Sequence, residues 1–306
     1  MTEPGGDKTS APAGRDAGRH VDLAMASVPF AFVFLWASGY IVAKFTLGYA
    51  EPFTILVMRF FMVSAIFAVI ALATGARWPR RWSEVGHHML VGVLLQTVYL
   101  GGIYAALALG ISAGVSALVM ALQPIITAAV VGPLFGERVR TRQWLGLLLG
   151  FAGVALVVAN KVELANGGWV GLGFCIGGLA GITIATLYQK HFVRSSDLRT
   201  AQAIQYFAAG IATAPIAFGL GLGTVDWSLP FLLALAWLLL PLSVGTYTLY
   251  LWLIRRDAAT RVTSYLYLVP PVTALAAWPF FGETMGPVAL AGMVVAVAGV
   301  ALVVRK

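Results

Sequence analysis

Apolar runs of about 20 residues, each long enough to cross a lipid bilayer, follow one another along almost the whole chain with short polar breaks. Such a chain must pair its own backbone N–H and C=O groups inside hydrocarbon, which leaves helices or a closed barrel. The runs lack the alternation of a membrane strand, so a helix bundle is predicted. Composition agrees. Of the 306 residues, 60% are hydrophobic and 10% are charged, whereas soluble domains carry about a quarter charged residues.

Spans are predicted near residues 24–46, 53–74, 87–109, 113–134, 143–160, 168–189, 201–222, 229–254, 259–281 and 286–304. Ten crossings put both chain ends on one side. Lys and Arg, retained in the cytoplasm, decide which side. Lys8, Arg15 and Arg19 precede span 1. The breaks after spans 2, 4, 6 and 8 hold Arg77, Arg80, Arg81, Arg138, Arg140, Arg142, Lys190, Arg194, Arg199, Arg255, Arg256 and Arg261, and Arg305-Lys306 ends the chain. All share one face, leaving only Lys44, Arg59 and Lys161 elsewhere. Both termini are therefore expected in the cytoplasm, with Glu51, Glu163, Asp226 and Glu283 on the opposite face. The net charge of +8 follows from this topology and gives no ground for a nucleic-acid partner. Membrane lipid is the expected surrounding. Residues 1–21 are Gly-, Ala-, Asp- and Arg-rich and read as a disordered cytoplasmic tail, not a signal peptide. The one cysteine, Cys175, rules out an intrachain disulfide and reads as a small buried apolar residue.

The chain says one thing twice. "PLFGERVRTRQW" at 133–144 returns as "PFFGETMGPVAL" at 279–290, and "AGVALVV" at 152–158 returns at 298–304, both at a constant shift of 146 residues. The same shift maps Pro124 on Pro270, Thr127 on Thr273, Tyr104 on Tyr250, Lys44 on Lys190 and "RFF" at 59–61 on "QYF" at 205–207. The fold expected is all-α and integral to the membrane: ten transmembrane helices as two five-helix inverted-topology repeats, residues 22–160 and 168–306. Five is odd, so the second unit enters from the opposite side, which is why basic residues follow the first "FGE" and not the second. Two inverted halves can form two near-mirror conformations with a substrate site between them near the midplane.

"WASGYIVAK" at 36–44, "RFF" at 59–61, the long string from 106 to 158 and its partner at 252–304 resemble the EamA branch of the drug/metabolite transporter superfamily, in both halves. The resemblance implies ten helices, cytoplasmic termini, a bacterial-type inner membrane, and efflux of small metabolites including amino acids. Other members of that family move nucleobases, vitamins or toxic amphiphiles, and this alternative stays open. No cofactor is implied.

Lys44 ends span 1 and Arg59 lies within span 2, both toward the external side. An ionisable side chain within a span faces the protein interior or a water path, because exposure to lipid costs about 2.5 kcal/mol or more. Lys44, near a helix end, reads first as snorkelling. For Arg59 two readings stand: contact with a substrate carboxylate or outer gate, or a structural pairing. The repeat sets Lys44, Arg59 and Glu283 outside against Lys190, Gln205 and Glu137 inside, and these are read as paired latches. The alternative has the FGE carboxylates only pinning turns. Helical spacing aligns Gln96, Tyr99 and Ile103 on span 3, Ser116, Met120 and Gln123 on span 4, and Ser243, Tyr247 and Tyr250 on span 8. Trp36 and Tyr40 share a face of span 1. These residues, with Tyr188, Tyr265 and Tyr267, are the candidate cavity wall for a small-molecule substrate, and a helix-packing role stands beside that reading for each of them. Trp78, Trp82, Trp144, Trp169 and Trp227 read as interfacial belts. Pro124 and Pro270 are matched mid-span kinks. The small-residue stripes Gly146-x-x-x-Gly150 and Gly292-x-x-x-Ala296 suit packing within the chain, or a homodimer through spans 5 and 10.

Enzyme readings find little support. "GISAG" at 110–114 has the form of a serine-hydrolase elbow, but it falls in a tight turn between spans instead of a strand–turn–helix. His20, His87, His88 and His191 are all predicted on the cytoplasmic side, away from Ser112. No phosphate-binding loop or H-E-x-x-H motif is present, so no metal is expected. A membrane-embedded lipid enzyme would call for clustered acids or histidines at one face.

Overall fold

The computed structural model describes residues 14–123, 126–127, 130, 141–161, 168–193, 196–246, 249, 268–282 and 286–304. Among them there is no strand. The helices, in chain order, are α1 (Gly14–Thr46), α2 (Pro52–Ala73), α3 (Trp82–Ala108), α4 (Ala113–Met120), α5 (Thr141–Lys161), α6 (Gly168–Phe192), α7 (Leu198–Leu220), α8 (Leu229–Gly245), α9 (Val269–Phe281) and α10 (Pro287–Val304). Four of them, α2, α3, α6 and α7, are long and apolar enough to cross a membrane. Shorter apolar stretches occupy Phe30–Thr46, α8, α9 and Leu290–Gly299.

Local chemistry sets the ends. Pro52 opens α2 after the extended Glu51, a position where its missing N–H is no loss. Ser112 caps α4 by accepting a hydrogen bond from the Val115 N–H at 3.2 Å. That contact gives the serine of "GISAG" a structural role. Gly282 ends α9 in the left-handed region, φ +63°, with its N–H on the Trp278 carbonyl. α1 starts at Gly14, inside the stretch expected to be a disordered tail, and no proline between residues 14 and 28 stops it. α4 ends at Met120, where the Leu122 N–H reaches back three residues to Val119 instead of four. This tightening falls just ahead of Pro124, which itself lies outside the described residues.

Three pairs of helices five apart in order pack on one another: α2 with α7, α4 with α9 and α5 with α10. On α2 and α7, Phe61 meets Phe207 edge-on at 6.0 Å and Phe60 meets Tyr206 at 6.0 Å. Both pairs join residues related by the 146-residue shift. The two helices run antiparallel. The Asp226 N–H donates to the Tyr49 carbonyl at one end, and Thr200 Oγ1 donates to the Arg77 carbonyl at the other.

On α5 and α10 the reciprocity is closer. A Cβ at Gly153 would collide with the Gly292 carbonyl and the backbone of Ala296. A Cβ at its repeat mate Gly299 would sit 2.5 Å from the Gly150 nitrogen and 2.6 Å from the Gly146 carbonyl. The small-residue stripes of the two helices thus meet each other within one chain, antiparallel. α4 packs on α9 as well. α3 crosses α6 with Gly102 against Phe174 and Gly178, and α1 meets α8, where Trp237 Nε1 donates to Ser38 Oγ at 3.0 Å.

Two helices carry a π-helical stretch, Val93–Leu100 in α3 and Leu238–Gly245 in α8. They fall within one residue of repeat-equivalent positions. Outside, large apolar side chains such as Phe30, Leu72, Leu220 and Phe280 are exposed, a surface suited to lipid. Trp78, Trp82, Trp144, Trp169 and Trp227 are all exposed at or near helix ends.

Candidate functional site

A polar cluster lies inside the bundle among α1, α2, α3, α4, α6, α7 and α8. Its centre is Arg59, 4% exposed on α2 between the fully buried Leu56, Phe60 and Val63. The guanidinium Nη2 donates to Ser243 Oγ on α8 at 3.3 Å. Ser243 in turn donates to the Leu238 carbonyl at 2.7 Å, five residues back along the π stretch. Arg59 Nε has no hydrogen-bond partner, and among the described residues no carboxylate pairs with Arg59. Arginine stays charged in proteins. An unpaired charge taken out of water costs several kcal/mol or so, so this position carries an uncompensated demand for an anion.

Buried tyrosines surround it. Tyr40 from α1 and Tyr99 from α3 face each other through their hydroxyls. Tyr104 from α3 is 1% exposed, and Arg59 and Thr46 flank its hydroxyl without hydrogen-bonding to it. Tyr206 on α7 is buried between Phe60 and Phe67, stacked on Phe67 at 6.4 Å. Ser116 on α4 approaches the Cys175 thiol on α6 at 3.7 Å, beside Tyr40.

The structure places the other candidates as follows. Gln96 is buried within the π stretch of α3. Gln205 is buried on α7, its backbone against Gly92 of α3. Trp36 is half-buried one turn from Tyr40, its ring against Phe32. Gln123 donates through Nε2 to Thr186 Oγ1 on α6 at 3.2 Å. Tyr188 lies apart, roughly 20 Å along α6 from Cys175 by helical rise. There its hydroxyl is 2.6 Å from His87 Nδ1, and its ring packs on Phe192 at 4.5 Å. Lys44, at the end of α1, sets its Nζ over the Phe281 ring at 5.0 Å, a cation–π contact with the end of α9. Lys190 is exposed in the last turn of α6. Pro270 is buried in the first turn of α9. Tyr247, Tyr265, Tyr267, Glu137 and Glu283 lie outside the described residues.

Two features have no functional reading in the sequence, the place of Tyr104 and the burial of His88, and a third, Ser243, is only partly read. Tyr104 and Ser243 complete the surroundings of Arg59, yet Ser243 stood out only for its spacing and Tyr104 only for its repeat mate. His88, expected with His87 at the cytoplasmic side, is 1% exposed with Nδ1 unpartnered. No signal in the sequence marks that burial. Among the described residues no group of His, Cys, Asp and Glu side chains could hold a metal ion. A separate cavity of about 210 Å³ opens between the ends of α2, α3, α6 and α7, lined by Glu51, Thr54, Ala105, Leu109 and Phe174. It shares no residue with the Arg59 cluster.

Known proteins resemble the chain along its length. The EamA-like transporter family matches residues 24–159 and again residues 167–305. A protein of Escherichia coli named "uncharacterized inner membrane transporter YedA" is 27% identical over 276 residues, covering 90% of this chain and 88% of the relative. One of Salmonella typhimurium named "probable amino-acid metabolite efflux pump" is 25% identical over 281 residues, covering 87% of this chain and 90% of the relative. A solved crystal structure superposes with a TM-score of 0.65 at 20% identity, covering 90% of this chain and 94% of the other. That likeness speaks for the fold alone.

Proposed function

The chain belongs to the EamA-like transporter family, and from that premise we propose that it exports small metabolites, amino acids and related compounds first among them, by alternating access. The observation that carries the reading is the reciprocal antiparallel packing of α2 on α7 and α5 on α10 between residues 146 apart. Two halves joined through repeat-equivalent surfaces have the symmetry needed to exchange inward-open and outward-open forms. We read residues 22–160 and 168–306 as those halves, in ten crossings with both termini cytoplasmic. The membrane is a bacterial-type inner membrane, as the name of the E. coli relative states for that protein. The amino-acid reading draws on the name of the Salmonella relative and on a cationic, tyrosine-rich centre.

The substrate site is the buried cluster of Tyr40, Arg59, Gln96 and Tyr99, with Trp36, Gln123, Tyr247 and Tyr265 as further wall. Tyr188 belongs in this proposal only as a contact at the inner mouth. Lys44 and Glu283 outside, and Lys190, Gln205 and Glu137 inside, act as alternating latches. The Lys44 contact at the end of α9 supports the outer one. Pro124 supplies a bend, and Pro270, in the first turn of α9, opens that helix. A homodimer through α5 and α10 would use their outer faces, because their small faces already meet each other.

Counterflow in proteoliposomes tests the reading: amino acids are loaded singly unlabelled, and uptake of a labelled pool is followed. Trans-stimulated uptake that falls at least about 10-fold in Tyr99→Ala is expected. No uptake with any of the twenty, from folded protein, overturns the amino-acid reading in favour of a nucleobase, vitamin or multidrug carrier of the same fold. Lipid turnover by the purified protein would instead favour a membrane-embedded enzyme.

A further inference from the structure

We propose that Arg59 Nε and the Tyr104 hydroxyl together bind a carboxylate of the transported compound, and that Ser243 occupies the guanidinium until that carboxylate arrives. The inference rests on the transporter reading and specifies what its central site recognises.

Arg59 is buried and charged, and among the described residues its one hydrogen-bond partner is the neutral Ser243 hydroxyl. Its Nε–H and the nearby Tyr104 O–H are two buried donors without an acceptor. Guanidinium offers five donors and no acceptor, so the missing group is an acceptor, and the charge asks for an anionic one. Two donors side by side suit the two oxygens of a carboxylate. The neighbours leave this role open. Thr46 spends its hydroxyl proton on the Ala43 carbonyl at 2.8 Å, so it does not compete as a donor, and its oxygen, though beside the Tyr104 hydroxyl, takes no hydrogen bond from it.

Ser243 explains how the site waits. Its proton is spent on the Leu238 carbonyl, in the π stretch of α8. Only its oxygen faces Arg59, on Nη2, the donor that shares an edge of the guanidinium with Nε, so a carboxylate oxygen that takes Nε competes with Ser243 for that edge. A charge-assisted bond is roughly twice as strong as one to a neutral oxygen, so an arriving carboxylate displaces Ser243. That displacement releases α2 from the π stretch of α8, which ties recognition to movement between the halves.

The test uses the full chain purified in detergent. Thermal stabilisation is titrated with each of the twenty L-amino acids and with its C-terminal amide. We expect at least one acid to stabilise the wild type, with its amide at least about 10-fold weaker. Arg59→Gln and Tyr104→Phe should each weaken that acid, the first by about 10-fold or more and the second by about 3-fold or more, and should weaken the amide by less. Ser243→Ala should tighten the acid by about 3-fold. Tyr104→Phe keeps the ring and packing, so it remains informative should Arg59→Gln fail to fold. The proposal is overturned if no acid stabilises the wild type, if acid and amide bind alike, or if both variants bind the acid as the wild type does. Ser243→Ala binding that is no tighter overturns the waiting role. Counterflow on the same preparation separates the two readings. Transport with unchanged Arg59→Gln kinetics leaves the carrier and removes the anion site. Carboxylate-selective binding without counterflow keeps the site and removes the carrier.

Discussion

Gly102 on α3 and Gly177 on α6 are both mid-helix glycines with opposite surroundings. A Cβ at Gly102 would stand 2.6 Å from the Phe174 carbonyl and 3.1 Å from Gly178, both backbone, which cannot yield without moving a helix. Nothing lies within 4 Å of a Cβ at Gly177. Gly102→Ala should therefore cost about 1–3 kcal/mol by overpacking, and Gly177→Ala should be neutral or stabilising by up to about 1 kcal/mol through helix propensity. Thermal unfolding of the two purified variants checks this, and equal midpoints would contradict the close approach of α3 and α6. The sequence shows both glycines and cannot rank them, because the difference lies in a partner helix. Tyr104 illustrates the same limit. A 3.6-residue period aligns Gln96, Tyr99 and Ile103 and leaves Tyr104 off that face. The π stretch Val93–Leu100 breaks that period, and "VLLQTVYL" carries no residue that announces it. Arg59 was legible because a charge in an apolar span has few readings.

At the scale of elements, α5 and α10 make the clearest forecast. Gly153 lies on Gly292 and Ala296, and Gly299 lies on Gly146 and Gly150. The contact is the same contact twice. Gly153→Leu and Gly299→Leu should each destabilise by about 1–3 kcal/mol, by similar amounts. Together they should cost less than their sum, since the first already spreads the pair. Unfolding midpoints of the three variants decide it, and a large cost at only one glycine would break the reciprocity. The 146-residue shift in "AGVALVV" made the equivalence of these helices readable. Their mutual contact was not, because a small-residue stripe permits close approach without naming the partner. Pro241 marks one π stretch and the other has no proline, so their correspondence emerges only in the fold. The surroundings of Tyr188 were unreadable for a related reason: its span was recognisable, yet its contact with His87 depends on where α3 meets α6.

The whole molecule poses the question of sidedness, and repeat mates answer it. If the halves are inverted, Lys44 and Lys190 occupy equivalent places on opposite sides of the membrane. The single native cysteine is buried beside Ser116, so Cys175→Ser gives a cysteine-free chain at small cost in packing. In that background a membrane-impermeant maleimide applied to intact cells should label Lys44→Cys and spare Lys190→Cys, and permeabilised cells should label both. Labelling of both from outside, or of Lys190→Cys alone, would refute the inverted arrangement. The same chain then tests movement. Lys44 reaches the Phe281 ring at 5.0 Å, which places the ends of α1 and α9 together. Lys44→Cys with Phe281→Cys, joined by a short bifunctional thiol reagent with a reducible bridge, should stop counterflow, and reductant should restore it. A cross-linked protein that transports at the uncross-linked rate would show that these ends need not part, and alternating access through an outer gate at α1 and α9 would fall with it.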